Sequence, residues 1–174
     1  MRLPLIIALT LLASTFPALP ADLIGRASII DGDTLELHGT RVRLWGIDAP
    51  ESAQLCRNSD SDLYRCGAKA ANDLDAFIAR RPVSCTAVAL DQYGRTVATC
   101  TVGGVDLGEW LVGHGLALDW PHYSHGRYSA AQNGAKRAGR GSWAGSLVAP
   151  WLCRACIRAR GRPGGCSDDA SAHP

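Results

Sequence analysis

The sequence predicts an α+β fold, mainly β, on three observations. Two stretches of alternating residues each fold back at a short turn, apolar residues at helical spacing lie between and after them, and the length suits one core. A small Greek-key barrel of the OB kind accommodates that order of elements, while periodicity alone leaves other α+β arrangements open. At 174 residues the chain is long enough for one well-formed domain and short for two.

Taken in order, residues 1–21 read as a secretory signal. Arg2 supplies the positive start, residues 5–13 the apolar run, and Ala18-Leu19-Pro20-Ala21 a cleavage region. The run falls short of the roughly 20 apolar residues a membrane span needs, so a periplasmic or secreted protein is expected. The domain proper is assigned to residues 22–150, and residues 151–174 to a Cys-, Arg- and Gly-rich tail whose last dozen residues are expected to lack structure.

Residues 27–37 carry apolar and β-branched residues, His38-Gly39-Thr40 turns the chain, and residues 41–47 alternate. Val42 and Leu44 then face one way, and Arg41, Arg43 and Trp45 the other. Residues 52–66 read as a polar loop. From Gly67 a helix is expected, with Ala70, Ala71, Leu74, Phe77 and Ile78 on its buried face and Arg80-Arg81-Pro82 at its end. Residues 83–90 and 95–102 form the second hairpin around Asp91-Gln92-Tyr93-Gly94. Two shorter helices are expected over 105–116 and 128–140.

Seven cysteines agree with export, because disulfides persist in oxidising compartments. If the second hairpin forms, Cys85 and Cys100 face one another, and opposed residues about 4.5–5.5 Å apart can be bridged. Cys56 and Cys66 bracket a polar loop and form a second expected pair. Cys153, Cys156 and Cys166 leave one cysteine over. Their Cys-x-x-Cys spacing also allows zinc or redox work, but a fourth ligand is lacking unless His173 serves.

Between residues 22 and 152 there are thirteen basic and fourteen acidic residues. No broad basic field therefore attracts a polyanion, and its binding must come from a local site or a metal. Such a site is readable at one rim of the first hairpin. With the turn near Gly39, Asp33 falls opposite about Trp45, and Asp48 lies just beyond. Oxygen ligands of this kind suit a hard cation, although Asp31-Gly32 and Asp48 also read as a plain turn and a loop cap. Around the rim stand Arg43 and Glu51, and Arg95 follows the second turn. Guanidinium forks bind phosphate oxygens and keep their charge at every relevant pH. A carboxylate can deprotonate water, and a divalent cation can neutralise the charge that develops.

Asp31-Gly32-Asp33-Thr34, then Arg43-Leu44-Trp45-Gly46-Ile47-Asp48-Ala49-Pro50-Glu51, then Tyr93-Gly94-Arg95 resemble the signature segments of staphylococcal nuclease and its relatives. Trp110-Leu111-Val112, Gly115-Leu116-Ala117 and Gly141-Ser142-Trp143 extend the likeness. The resemblance implies a five-stranded OB-type barrel with three helices. It implies a monomeric Ca²⁺-dependent endonuclease that cleaves DNA and RNA to 3′-phosphate ends. By position, Asp33, Asp48 and the Ala49 carbonyl would bind calcium, Glu51 would be the general base, and Arg43 and Arg95 would hold the phosphate. Tyr93 and Tyr123 would contact the substrate. Ala49 replaces a threonine of the family pattern, and Gln92 a lysine, which removes one phosphate-attracting charge.

Trp120 and Tyr123 are the expected stacking platforms, whereas Trp45, Trp110, Trp143 and Trp151 are expected as core anchors. His122 and His125 read as surface histidines. A non-catalytic OB module binding nucleic acid or oligosaccharide is the alternative, one that would not need Arg43, Glu51 and Arg95 together.

Overall fold

A computed structural model describes residues 22–167. The expected signal, His173 and the end of the tail lie outside them. In chain order the strands and helices open with β1 (Leu23–Gly25), β2 (Ala27–Asp31), β3 (Thr34–Leu37), β4 (Thr40–Leu44), β5 (Ile47–Asp48), β6 (Leu55–Arg57) and β7 (Leu63–Arg65). Then come α1 (Cys66–Ile78), β8 (Val83–Leu90), β9 (Thr96–Val102), β10 (Val105–Asp106), α2 (Leu107–Gly113) and β11 (Leu118–Asp119). The C-terminal part is helical: α3 (Pro121–Ser124), α4 (Ser129–Arg137), a 3₁₀ turn (Gly141–Ala144), α5 (Pro150–Arg158) and α6 (Pro163–Ser167).

The main sheet runs β1-β8-β9-β4-β3-β2, with β10 added on β9. Its two ends are consecutive stretches of chain interrupted at Arg26, and no ladder among the described residues closes it. The fold is thus α+β and mainly β, as expected. Instead of five strands and three helices, the described residues form eleven short strands and six α-helices. Breaks at Arg26 and short pairings outside the sheet divide the strands, and the tail adds helices of its own.

His38 and Gly39 both adopt left-handed φ, 50° and 78°, which makes a two-residue turn of the hairpin-favouring kind. The turn centre lies between them, so Leu37 pairs with Thr40 and Thr34 with Arg43. Asp33 consequently lies beside Leu44, whose N–H donates to the Asp33 carbonyl at 2.8 Å, and not beside Trp45. The faces remain as expected, with Val42 and Leu44 buried. In the second hairpin Cys85 pairs with Cys100, and they form a disulfide across a Cα separation of 4.0 Å.

A parallel pairing of β4 with β9 joins the hairpins, aligning Arg43 with Val97 and Leu44 with Ala98. That contact carries the start of β9, and Arg95 just before it, to the side of β4. The core gathers Leu35, Leu37, Val42 and Leu44 from the first hairpin with Val83, Ala98 and Val102 from the second. Ala70, Leu74 and Ile78, four residues apart on one face of α1, close it from one side, and Leu107, Leu111 and Val112 of α2 from another. The α1 helix ends where Ala79 and Arg80 turn to positive φ before Pro82.

Two stretches read as loop or unstructured tail are ordered. β6 and β7 pair within residues 52–66, where Cys56 and Cys66 are bonded as expected. The tail forms α5 and α6, so residues 163–167 are helical where no structure was expected. Cys156 bonds Cys166, and Cys153 is the cysteine left over, buried with Val148 and Cys166. Burial pushes its thiol pKa up, which disfavours the reactive thiolate. With Cys156 in a disulfide and no cluster of three metal-ligating side chains among the described residues, the zinc reading of Cys-x-x-Cys finds no support.

Candidate active site

The β2–β3 turn places the first carboxylate. Asp31 accepts a hydrogen bond from the Asp33 N–H at 3.1 Å, a local Asx turn that holds Asp33 at the end of the hairpin. β5 places the second: its pairing with β11 sets Asp48 opposite Leu118, and the Trp120 N–H donates to the Gly46 carbonyl at 2.9 Å. Gly46 has φ 75°, and a Cβ there would press on Ser124 and Tyr128, so this corner requires glycine. Glu51 sits in a turn whose carbonyl accepts from the Gln54 N–H at 2.7 Å. α1 starts against that turn, and a Cβ on Gly67 would overlap the Glu51 carbonyl.

Asp33 and Asp48 are both buried, and one nitrogen joins them. Arg43 Nη2 donates to Asp33 Oδ2 and to Asp48 Oδ1, each at 2.8 Å. Asp33 Oδ2 also accepts from the Ala49 N–H at 3.2 Å, and Oδ1 from the Thr34 hydroxyl at 3.1 Å. Burial pushes the Asp33 carboxyl up to about 7, against the opposing charge of Arg43. Burial raises Asp48 as well, against hydrogen bonds and charge from Arg154 and Arg43.

Arg154 was not singled out by sequence. It comes from α5, 106 residues after Asp48, and donates through Nη1 to Asp48 Oδ1 at 2.9 Å and through Nη2 to Asp48 Oδ2 at 2.8 Å. Nη1 also donates to Glu51 Oε1 at 2.9 Å. Burial works against its charge, but hydrogen bonds and the charges of Asp48 and Glu51 outweigh it and raise its pKa above the ordinary value. The helix itself had a readable start in Pro150 at its first turn. The destination of its arginine had no local signal.

Asp33, Arg43, Glu51 and Arg154 line a cleft of about 580 Å³, with Asp48 buried behind them, and Arg95, Tyr93, Trp120, Tyr123 and Trp151 also line it. Tyr93 and Tyr123 are exposed there, and Trp120 stands edge-on to Tyr123 at 4.6 Å between ring centroids. Trp151, expected in the core, instead lines the cleft and stacks on Trp120 at 5.9 Å, because α5 folds back over this rim. A larger and more open hollow of about 770 Å³ between β2 and α1 offers only Asp75 and Arg80 as ionisable side chains. The ionisable side chains therefore gather in the smaller cleft.

Arg95 is held from behind. Asp91 Oδ2 accepts from Arg95 Nε at 2.6 Å, while Oδ1 accepts from the N–H groups of Tyr93 and Arg95 at 2.9 and 2.8 Å. Slight burial raises the Asp91 carboxyl, but hydrogen bonds from Arg95 and Tyr93 more than offset this and hold it below its ordinary value. A depressed folded pKa stabilises above the unfolded value and is lost as pH falls through the folded one. The Asp91 carboxyl is expected to titrate by NMR below its ordinary 3.8, with the Tyr93 and Arg95 amide signals shifting in the same step. Titration at or above 3.8 would refute the anchoring of Arg95.

The carboxylate oxygens of Asp33 and Asp48, joined through one Arg43 nitrogen, are donors of the kind a hard divalent cation takes. The described residues add no third His, Cys, Asp or Glu to form a larger cluster.

The family model described as staphylococcal nuclease homologue matches residues 41–145. The chain belongs to the staphylococcal nuclease family. Arg43, Asp48, Ala49, Glu51, Tyr93, Arg95 and Tyr123 lie inside the matched segment, whereas Asp33 precedes it and Arg154 follows it. Over 123 residues the chain is 46% identical to "Succinoglycan biosynthesis protein ExoI" of Rhizobium meliloti (strain 1021), an overlap covering 70% of this chain and 64% of that protein. The chain thus spans under two thirds of that relative's length.

Proposed function

We propose that the protein is an exported, calcium-dependent endonuclease that hydrolyses phosphodiester bonds of DNA and RNA to 3′-phosphate products. The observation that carries this reading is the convergence of Arg43, Glu51 and Arg95 on one cleft above the joined carboxylates Asp33 and Asp48. Asp33, Asp48 and the Ala49 carbonyl would hold the cation, which supplies charge neutralisation to the phosphate when bound. Glu51, half-exposed at the cleft, takes a proton from the attacking water. The water oxygen bonds to phosphorus, the bond from phosphorus to the 5′ oxygen breaks, and that oxygen leaves with a proton from solvent.

Arg43 engages the aspartates through Nη2 alone among the described residues, leaving its other N–H groups for the phosphate. Arg95 binds Asp91 through Nε, which leaves both terminal nitrogens for the same purpose. Tyr93 and Tyr123 flank the substrate. Counting β1 and β2 as one bent strand beside β3, β4, β8 and β9 supports an OB-type barrel of five strands, with α1, α2 and α4 as its three helices. Export is supported by the apolar start of the sequence and by three disulfides. No helix among the described residues is long and apolar enough to cross a membrane. A monomer is proposed on the family likeness.

Incubation with single- and double-stranded DNA and with RNA, in Ca²⁺ and in EGTA, tests the reading. Cleavage is expected in calcium only, and Glu51→Gln should lower it by about 10²–10⁴-fold, the usual size of a general-base contribution. Full activity in EGTA or in Glu51→Gln would refute it. A second reading, a non-catalytic module that holds an oligosaccharide, is favoured by the aromatic wall of Trp120, Tyr123 and Trp151 and by the biosynthetic name of the relative. It predicts no cleavage of any nucleic acid.

A further inference from the structure

The deepest carboxylate of the cleft already carries a complete positive partner from outside the family segment. Asp48 gives Oδ1 to Arg43 and Arg154 and Oδ2 to Arg154, and the same Arg154 guanidinium takes Glu51 Oε1. A divalent cation meeting Asp48 therefore finds these oxygens engaged and a fixed like charge beside them. We propose that Arg154 is an internal counter-cation seated on Asp48 and Glu51, so that divalent metal binding is an exchange that withdraws it. The exchange makes Arg154 a determinant of the site's metal affinity. This rests on the calcium-dependent reading of the cleft.

Three features make the exchange physically reasonable. Arg154 lines the cleft with its side chain 23% exposed, so its guanidinium can leave by side-chain rotation without unpacking a core. Its Cζ lies 5.6 Å from the Trp120 ring centroid, a cation–π contact made beside the carboxylate bonds and independent of them. The helix that carries it is anchored independently of the charges. Gln54, buried in the turn that bears Glu51, donates through Nε2 to the Val148 carbonyl at 2.7 Å, and Cys156–Cys166 ties α5 to α6. The competing cation thus stays at high local concentration whether or not metal is bound. Asp33 is untouched by Arg154 and is held by Arg43 and the Ala49 N–H, so the exchange concerns Asp48 and Glu51.

Calorimetric titration of the disulfide-intact protein with Ca²⁺ reads the exchange without reference to cleavage. Arg154→Gln should bind Ca²⁺ roughly tenfold tighter or more, an ordinary size for coupling between two occupants of linked positions. Arg154→Lys, which keeps the charge but loses the fork, should fall between Arg154→Gln and the unsubstituted protein. In the unsubstituted protein the Arg154 guanidinium NMR signals should lose their protection from solvent exchange when Ca²⁺ saturates. Equal affinities with unchanged guanidinium signals would overturn the exchange and leave the calcium-dependent reading standing. Weaker binding in Arg154→Gln would also overturn it, by showing that Arg154 supports the metal. No Ca²⁺ binding by any of the three proteins would overturn both.

Discussion

Replacing Arg43 by methionine is expected to lower the stability of the ligand-free protein by about 3 kcal/mol near neutral pH. It should also slow cleavage by at least ~10²-fold. The stability loss follows from what Arg43 leaves behind. Asp33 and Asp48 have side chains 5% and 0% exposed, and Arg43 Nη2 is the only guanidinium nitrogen that reaches Asp33 among the described residues. Breaking one side of a buried ion pair leaves an uncompensated charge, a far larger cost than losing a surface contact. Arg154 still covers Asp48, which is why the estimate sits at the low end of the usual range.

The sign of the pH dependence follows from Asp33. Its folded pKa is pushed up to about 7 from 3.8, so its contribution to stability is fully present below the unfolded value and lost as pH rises through the folded one. Without Arg43 the charged form is disfavoured further and the folded value rises above about 7, so the penalty of the substitution should be level below about pH 7 and grow from there toward about pH 9. Urea unfolding across that range measures it. Arg41→Met is the control, since Arg41 is an exposed neighbour on β4 and should change stability by no more than about 0.5 kcal/mol. Equal losses for the two variants would show that Arg43 is a surface charge like Arg41.

Joint replacement of Cys85 and Cys100 by alanine is expected to lower unfolding stability by about 3 kcal/mol, the loop-closure value for a separation near 15 residues. The pair joins opposed positions of β8 and β9. Both cysteines are 1% exposed among the main core residues, so the substitution also removes packed sulfur. The same double change at Cys156 and Cys166 opens a shorter loop, 10 residues apart, in a small satellite cluster. Loop length alone separates the two cases by only a few tenths of a kcal/mol. A clearly larger loss at Cys85 and Cys100 therefore reports core packing. Denaturation midpoints under oxidising conditions compare them, and an equal or smaller loss at Cys85 and Cys100 would contradict the central placement of that bridge.

Much of the fold and half of the cleft were legible because their causes are local. Alternation placed Val42 and Leu44 inward, and the midpoint of residues 85 and 100 fell on a turn, so both hairpins and the disulfide across the second followed from spacing. The register of the first hairpin was misjudged by one residue, because the left-handed φ of His38 moved the turn centre off Gly39. Trp151 was misplaced because composition marks an apolar ring as buried without saying against what.

By itself the sequence determined the α+β class, the two hairpins, the pairing of Cys56 with Cys66 and Cys85 with Cys100, and the segments that identify the family. Each depends on residues near one another in the chain or on motifs read in order. Only the tertiary structure decided that Arg43 joins Asp33 to Asp48 through one nitrogen, and that Arg154 reaches back to Asp48 and Glu51. No periodicity or turn chemistry connects positions 103 and 106 residues apart. The opposite charges of Arg43, Glu51, Asp48 and Arg154 were visible in the sequence, but which charge neutralises which is set by the packing of α5 over the rim.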